Sequence, residues 1–488
     1  MPNFSKDKTN ESKLYVTAQI LLSNKNNQGK IKKLNFIATK VGKLNHYLWD
    51  KYGSIQGWNL DVIDLEKQIR NSKEMVLIQE ITGGFSGKYF QRNTYACLKN
   101  IVMYQEACKV KLIANIYKKY QDKETRKQLC RLITKGTILE ILQNSWLSTQ
   151  LRKVFFRGRT WKKNQFVLAS GQYNLQQDKN GKQWLAIQTL EKNKRIKLLL
   201  KSNCSIEGEL RIINLNNNWY IQYPKLKPIT NNPDRKLECG VDRGYTEVFA
   251  TSDGEMLGKN LGKLISKRQD NLDAKTKKRN KLFALKKKYL SQGKSKKINN
   301  ILKNNLGKKK FESQKIKSQN RIKNVITKAC QDLCKNYKSI VYEDLTTAIK
   351  SKKPFRKSTK NKLAHWTKGQ VIKWLTHIAK LRGSQLTAIN PAYTSQIDCF
   401  TQTLLGVRSG DWFYSKERVV QADYNASQNI LCRKYDMEIS LFTPHRQVKT
   451  ILLSRTTKYL EQCGNDCTKT LESYKGEIAS QYNLKLNQ

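Results

Sequence analysis

Apolar residues recur along this chain at two different periods, and each change of period marks a boundary. Leu14 to Leu22, Leu-Tyr-Val-Thr-Ala-Gln-Ile-Leu-Leu, is β-prone, and as a lone strand it must pair with later sequence. From about Leu34 to Phe155 the spacing becomes helical. Ile101-Val102-Met103-Tyr104 through Ile116 and Leu129-Cys130-Arg131-Leu132-Ile133 are examples, with basic residues between them. This predicts an all-helical lobe. Between about Arg157 and Leu226 the period shortens to that of strands. Gln165 to Ala169, Gln183 to Ile187, Leu210 to Ile213 and Asn218 to Tyr223 are divided by turn signals such as Asp178-Lys179-Asn180-Gly181. A small antiparallel barrel or sheet is expected there. Pro224 to Pro233, with three prolines and Thr230-Asn231-Asn232, reads as a linker.

Beyond the linker the two periods alternate. Leu237 to Leu257 reads as a hairpin with Ser252-Asp253-Gly254 at its turn, followed by a helical stretch that loops back at Ser291-Gln292-Gly293-Lys294-Ser295. Tyr337 to Tyr342 is a further strand, and a basic loop runs from Lys350 to Lys362. Val371, Trp374, Leu375, Ile378 and Leu381 then share one face of an amphipathic helix that Gly383 stops. Trp374 and His377 read as packing and surface residues. Leu386 to Ile389 is another short strand, and residues 456–488 are polar and read as peripheral. The fold class expected is multidomain α+β.

Charge changes the picture most. The 488 residues carry 93 Lys plus Arg against 38 Asp plus Glu, a formal net charge of +55, which points to a polyanionic partner. Residues 261–330 concentrate it, with 23 Lys or Arg and three acids. Blocks such as Lys286-Lys287-Lys288 and Lys308-Lys309-Lys310 would repel one another without a partner, so they are candidate phosphate contacts. Charge alone is equally compatible with a ribosomal or chromatin-like binder that does no chemistry. An apolar content of 38% supports real cores, and the length suits about three domains. The start, Met1-Pro2-Asn3-Phe4-Ser5-Lys6, has no apolar leader, and no run reaches the roughly 18 apolar residues of a membrane span. A cytoplasmic protein is expected, without a membrane partner. Eleven scattered cysteines fit reduced thiols, and Cys330 with Cys334 and Cys463 with Cys467 lack the CxxC separation of a zinc knuckle.

Three carboxylates supply candidate chemistry. Asp242 and Glu343 each close an apolar β-prone run, in Gly240-Val241-Asp242-Arg243-Gly244 and Ile340-Val341-Tyr342-Glu343-Asp344-Leu345. Asp423 opens a helix-compatible stretch, Gln421-Ala422-Asp423-Tyr424-Asn425-Ala426-Ser427-Gln428-Asn429-Ile430. Strand ends expose side chains at a sheet edge, and converging carboxylates suit Mg²⁺, a hard cation that takes oxygen ligands. Two such ions about 3.5–4 Å apart stabilise both the attacking and the leaving oxygen of a phosphodiester displacement. Any one of these acids alone is more often a surface or capping residue.

The order Asp, Glu, Asp with a long insertion before the second acid resembles RuvC-type nucleases of the RNase H-like superfamily. Thr394-Ser395-Gln396, then Cys399, Arg408 and Phe413, then Asp423-Tyr424-Asn425-Ala426-Ser427-Gln428-Asn429-Ile430, resembles the C-terminal signature of TnpB proteins and of the compact type V CRISPR effectors. The resemblance covers about residues 237–455. It implies an RNA-guided DNA endonuclease, with Asp242, Glu343 and Asp423 as catalytic ligands of Mg²⁺, or Mn²⁺. It also implies a guide RNA, a target DNA engaged as duplex and as displaced single strand, and a bacterial cytoplasmic protein that joins the nucleoid when bound to DNA. Arg408 is implied as a nucleic-acid contact. The matching layout is an N-terminal wedge strand (1–33), a helical recognition lobe (34–155), a β wedge (156–228) and a linker (229–236). Then come a first nuclease part (237–391) with a basic hairpin (258–336), a target-loading loop (392–421), a second nuclease part (422–455) and a tail (456–488). Many family members carry two CxxC pairs in that loop. Here Gln402 stands where the partner of Cys399 would be, and Tyr414-Ser415-Lys416-Glu417 replaces the second pair, so no structural zinc is expected. Leu404, Leu405, Val407, Trp412 and Phe413 are expected to shape the loop instead, with Trp412, Phe413 and Tyr414 packing rather than stacking on bases. Two other classes stay open: a guided binder without useful cleavage, acting as a repressor or transposon-targeting subunit, and an unguided RuvC-like nuclease.

Overall fold

The computed structural model describes residues 13–120, 122–155, 162–191, 193–230, 233–306, 309–345, 368–463 and 470–484. The N-terminal residues, Asn231 and Asn232 of the linker, Lys308, the basic loop Lys350 to Lys362 and Cys467 lie outside them. The chain divides into two compact units, Tyr15–Lys227 on the one hand and Met1–Leu14 with Pro228–Gln488 on the other.

In the first unit a strand, β1 (Lys13–Leu21), precedes seven helices: α1 (Gln28–Tyr52), α2 (Val62–Arg70), α3 (Lys73–Thr82), α4 (Gly87–Lys119), α5 (Lys123–Lys135), α6 (Ile138–Gln143) and α7 (Ser145–Val154). Side chains cap most of their N-termini. Asn27 accepts from the Lys30 amide, Asp61 from Ile63 and Asp64, and Thr137 with Glu140 forms a capping box on α6. Two sheets follow, built from β2 (Gln165–Leu168), β3 (Tyr173–Gln177), β4 (Gln183–Gln188), β5 (Arg195–Leu199), β6 (Leu210–Leu215) and β7 (Asn218–Pro228). One runs β1-β7-β6-β2 and the other β3-β4-β5. The strands expected to form one antiparallel sheet or barrel fall into two sheets joined by an antiparallel bridge between Leu22 and Leu200. The early strand does find its partner late in the chain, as its isolated apolar run required. Phe166, Leu185, Ile187, Ile212 and Ile221 of the sheets pack with Leu34 and Val41 of α1 and Tyr89 of α4 in one core. Helices and sheets thus share buried surface within this unit.

The second unit is built on a five-stranded sheet. Its strands are β8 (Lys236–Asp242), β9 (Phe249–Thr251), β10 (Met256–Leu257), β11 (Tyr337–Glu343) and β12 (Gln385–Ile389), in the order β10-β9-β8-β11-β12. β9 and β10 are antiparallel additions, whereas β8, β11 and β12 run parallel. The expected single hairpin over Leu237 to Leu257 is instead a three-stranded meander. Residues 243–248 connect β8 to β9, and Ser252-Asp253-Gly254 turns between β9 and β10, where Gly254 adopts φ +84°.

Parallel neighbours need crossover connections, and helices supply them. α8 (Leu261–Ser291), α9 (Ser295–Asn300), a π-helical turn (Ile301–Asn305) and α10 (Lys309–Asn336) lead from β10 to β11. The hairpin expected here thus has a short third helix at its bend. α11 (Lys368–Arg382) leads to β12 and ends at Gly383, φ +64°. Ile265, Ile326, Cys330, Leu333, Val371 and Leu375 pack on Val241, Phe249 and Ile340 of the sheet. A three-stranded sheet follows: β13 (Val407–Ser409), β14 (Trp412–Tyr414) and β15 (Val419–Gln421). α12 (Ala422–Arg433), α13 (His445–Gln462) and α14 (Leu471–Gln481) close the described chain. The C-terminal segment is less peripheral than its polarity suggests. Val448, Leu452 and Leu460 of α13 and Tyr474 and Ile478 of α14 are buried. No helix among the described residues is long and apolar enough to cross a membrane.

Candidate active site

Strand register brings the first two acids together. β8 and β11 pair in parallel with Val341 opposite Gly240 and Tyr342 opposite Val241. The same offset sets Glu343 beside Asp242, both at the C-terminal tips of central strands, where neighbouring backbones lie about 4.8 Å apart. The third acid arrives on a helix. Asp423 sits in the first turn of α12, which Gln421 caps by accepting from the Tyr424 amide. α12 lies directly on β8, and Gly240 is the reason it can. A Cβ at Gly240 would stand 2.2 Å from the Ser427 carbonyl oxygen and 2.7 Å from the Leu431 amide nitrogen.

The acids feel one another. Burial raises the Asp242 carboxyl, and repulsion from Glu343 and then Asp423 adds to it, bringing it to about 7. Burial also raises Glu343, against the Thr394 hydroxyl that donates to its carboxylate and the positive charges of Arg243 and Arg433. Asp423 carries a counter-ion: Arg408 on β13 donates to its Oδ1 at 2.9 Å. Among the described residues no three His, Cys, Asp or Glu side chains form a ready metal-ligating array. The donor set is nonetheless wholly oxygen, and three mutually repelling carboxylates are what a hard divalent cation stabilises.

The rest of the Asp423 to Ile430 motif holds this arrangement in place. Asn425 and Asn429, one turn apart and fully buried, clamp the loop that follows β12. Asn425 donates to the Ile397 carbonyl at 2.8 Å and accepts from the Cys399 amide at 2.9 Å. Asn429 donates to the carbonyls of Thr394 and Ile397 and accepts from Gln402. The motif thereby fixes Thr394, which in turn touches Glu343. Gln428 points the other way and donates to the Ser252 carbonyl at 2.7 Å, tying α12 to the β9–β10 turn. Arg243 donates to the backbone carbonyl of Glu343 and lies over the Tyr342 ring.

Residues 392–421 keep some of the expected packing. Leu404 and Phe413 are buried, and Gly406 leaves room for the Phe413 ring, which a Cβ would meet at 2.2 Å. Trp412 departs from the expectation: it is 50% exposed. The Tyr414 ring packs at a tilt against Tyr482 from the C-terminal segment, with ring centroids 5.2 Å apart. Phe400 is half exposed, with the Arg418 guanidinium 4.0 Å over its ring. Of the lysine blocks, Lys286 is half-buried and Lys287 and Lys288 exposed near the end of α8, while Lys309 and Lys310 begin α10.

Sequence reasoning passed over several residues here. Gly240, Thr394, Asn425 and Asn429 act through contacts that only the fold makes. Glu247 is a further acid in this field, raised first by burial and then by Asp423 and Asp411; its neighbours in sequence carry no signal of this.

Carboxylates thus gather at the strand tips of a mixed sheet, in a chain of formal net charge +55. Residues 369–430, which hold α12's acid and the loading segment, match the family model described as Cas12f1-like, TNB domain, so this part is similar to that of compact type V CRISPR effectors. Among solved structures the chain is similar to the Cas12f1–sgRNA–target DNA complex, at 12% identity over 86% of this chain and 98% of that one, TM-score 0.38. It is also similar to Alicyclobacillus acidoterrestris C2c1 with single-guide RNA, at 9% identity over 90% and 92%, TM-score 0.44. A third is the mini-RNA-guided endonuclease CRISPR-Cas_phi3, at 12% identity over 86% and 92%, TM-score 0.36. Each is a loose likeness. The comparison with curated proteins gives no match.

Proposed function

We propose that this chain is an RNA-guided DNA endonuclease whose RuvC-type site, on an RNase H-like sheet, is formed by Asp242, Glu343 and Asp423. The observation that carries the reading is the convergence of these acids from two adjacent strand tips and one helix start, where burial first and then repulsion from Glu343 and Asp423 raise Asp242 to about 7. Asp242, Glu343 and Asp423 would hold Mg²⁺, or Mn²⁺. The bound ion would polarise a phosphodiester and supply a nucleophile from water at neutral pH.

The chain's own residues do the positioning. Gly240 lets α12 approach, Thr394 orients Glu343, and Asn425 and Asn429 fix the loop that carries Thr394. Guide pairing would select the target, while the protein reads a short flanking DNA motif and the shape of the hybrid. A net charge of +55 supports extensive phosphate contact. In this reading 34–155 is the recognition lobe, 156–228 with the N-terminal strand the wedge, 237–391 and 422–455 the nuclease, and 392–421 the target-loading segment.

The experiment is to purify the protein with its native flanking DNA, sequence the retained RNA, and assay Mg²⁺-dependent cutting of a matching target. A discrete RNA with a constant scaffold and a variable segment, together with cutting that Asp242→Ala abolishes, supports the proposal. A diffuse mixture of cellular RNA sinks the guided reading. The Arg408–Asp423 ion pair favours a second reading, a guided binder without cleavage; a discrete RNA and tight target binding without any cut would establish it.

A further inference from the structure

The two long helices of the cationic hairpin meet along a seam whose character changes part-way. Leu261 and Ile265 of α8 and Ile322 and Ile326 of α10 are buried in the core of the sheet. On the next turns of α8, Arg268, Leu272 and Lys275 recur at helical spacing, and Phe311, Lys315 and Arg321 answer them on α10. Here the helices leave a cavity of about 400 Å³ between them. Lys317 adds a fifth cation, and no carboxylate lines it among the described residues.

A helix pair that closed on itself would carry apolar side chains at these positions. Facing cations repel, and an anion between them relieves that repulsion. Two details point to a ligand with more than charge. The Arg268 Nε is buried without a hydrogen-bond partner, which a donor of this kind tolerates poorly. Phe311 is half-buried among the cations, with Lys275 and Arg279 at 6.0 and 5.5 Å from its ring, the mixture of aromatic and cationic surface on which single-stranded bases stack.

We propose that this groove binds a single-stranded segment of RNA, with phosphates on Arg268, Lys275, Lys315 and Arg321 and a base against Phe311. The stripe from Phe311 to Arg321 runs about 15 Å along the helix. That is room for several phosphates, which follow one another at about 3.4 Å along a stacked strand. RNA is favoured over DNA by Asn271 and Gln314, neutral hydrogen-bonding side chains interleaved with the cations. A ribose 2′-hydroxyl, both donor and acceptor, gives them a partner that deoxyribose lacks. The inference rests on the reading of the chain as RNA-guided, and it names residues that the lysine blocks do not include.

The test combines R268Q, K275Q, K315Q and R321Q in the full chain and measures binding of a single-stranded RNA oligonucleotide across salt concentrations. Each lost phosphate contact on a single strand removes about 0.7 from the salt slope, so the variant should lose close to 3 units. An unchanged slope overturns the proposal. Freed of RNA, the same variant should melt at a higher temperature than the parent because repulsion across the seam is gone. A lower melting temperature would make these residues structural and overturn it as well. N271A with Q314A should weaken RNA binding several-fold and leave DNA of the same sequence unaffected; equal weakening overturns the RNA assignment. The parent protein separates the two readings. If it carries a discrete RNA and cuts DNA while the quadruple variant keeps its slope, only the groove fails; if it does neither, the proposed function fails.

Discussion

Like charges are crowded in two regions of the second unit, and the crowding is built differently in each. At the strand tips, Asp242, Glu343 and Asp423 are held by register and by the seating of α12 on Gly240, and two of them have carboxyls raised by burial. In the hairpin seam, Arg268, Lys275, Lys315 and Arg321 face an open groove on two long helices. The first arrangement is short, partly buried and made of oxygen donors, which suits a small hard cation. The second is long, wet and aromatic, which suits an extended polyanion. The same fold thus leaves two electrostatic deficits of opposite sign, and the geometry of each specifies the size of what relieves it.

The sharpest way to break this comparison is to remove the acids. Asp242→Ala, Glu343→Ala and Asp423→Ala should each abolish Mg²⁺-dependent cleavage while RNA binding stays at the parental level. Metal ligation is worth several kcal/mol of transition-state stabilisation, and each 1.4 kcal/mol is about tenfold in rate, so losses of about three decades or more are expected. Retained cutting in any one variant removes that residue from the site. Gly240→Ala comes next. Its Cβ cannot coexist with the Ser427 carbonyl, so α12 must move and carry Asp423 with it. Overpacking of this kind costs about 1–3 kcal/mol of stability, and cleavage should fall by about a hundredfold without loss of RNA binding. A melting curve and a cutting assay on one preparation read both; parental cleavage would show that α12 need not sit where it does.

Stability against pH sharpens the acidic side of the comparison. The folded Asp242 carboxyl lies well above its unfolded value of about 3.9. Between the two values the native state holds the proton that the unfolded chain has lost. Stability from this group is therefore full below about pH 4 and falls as pH rises through 7. Asp242→Asn removes the penalty. In the absence of metal it should melt higher than the parent at pH 8, with the gap, on the order of a few kcal/mol, closing as pH falls to 5. Mg²⁺ should raise the parent's melting temperature and leave that of the variant nearly unmoved. A gap that is the same at both pH values would mean that neither burial nor its acidic neighbours raise the Asp242 carboxyl in the folded state.

Asp242 and Glu343 are legible because each ends a run whose apolar, β-prone residues betray a buried strand, whereas Asp423 is legible only from the motif it opens at the start of a helix. The meander was harder. Gly244-Tyr245-Thr246 gives a weaker turn signal than Ser252-Asp253-Gly254, so one turn was read where the chain makes two. The Asp423 to Ile430 motif was legible as text, but the clamp made by Asn425 and Asn429 was not, since their partners lie in a loop with no periodicity. The lysine blocks drew attention because they are contiguous, whereas the groove's cations are spread at helical spacing over two helices and converge only when those helices pair. Residues 456–488 were read as peripheral from their polarity, although Leu460, Tyr474 and Ile478 carry a sparse apolar stripe that the fold buries.

The smallest effect expected is also the one that bears on how the two kinds of crowding meet. Arg408 is a cation that has already answered one of the acids, donating to Asp423 from β13. Both partners are partly exposed, with side chains 38% and 28% accessible, so the pair is worth no more than about 1 kcal/mol after solvent screening. A divalent ion that takes Asp423 as a ligand must displace the guanidinium and overcome that amount. Arg408→Ala should therefore lower the Mg²⁺ concentration for half-maximal thermal stabilisation by about two- to fivefold, since 1.4 kcal/mol corresponds to tenfold. Arg408→Lys keeps a charge without the planar fork and should fall between the two. If Mg²⁺ affinity instead drops in Arg408→Ala, the guanidinium holds Asp423 in its ligating position, and the pair belongs to the metal site as a support and not as a competitor.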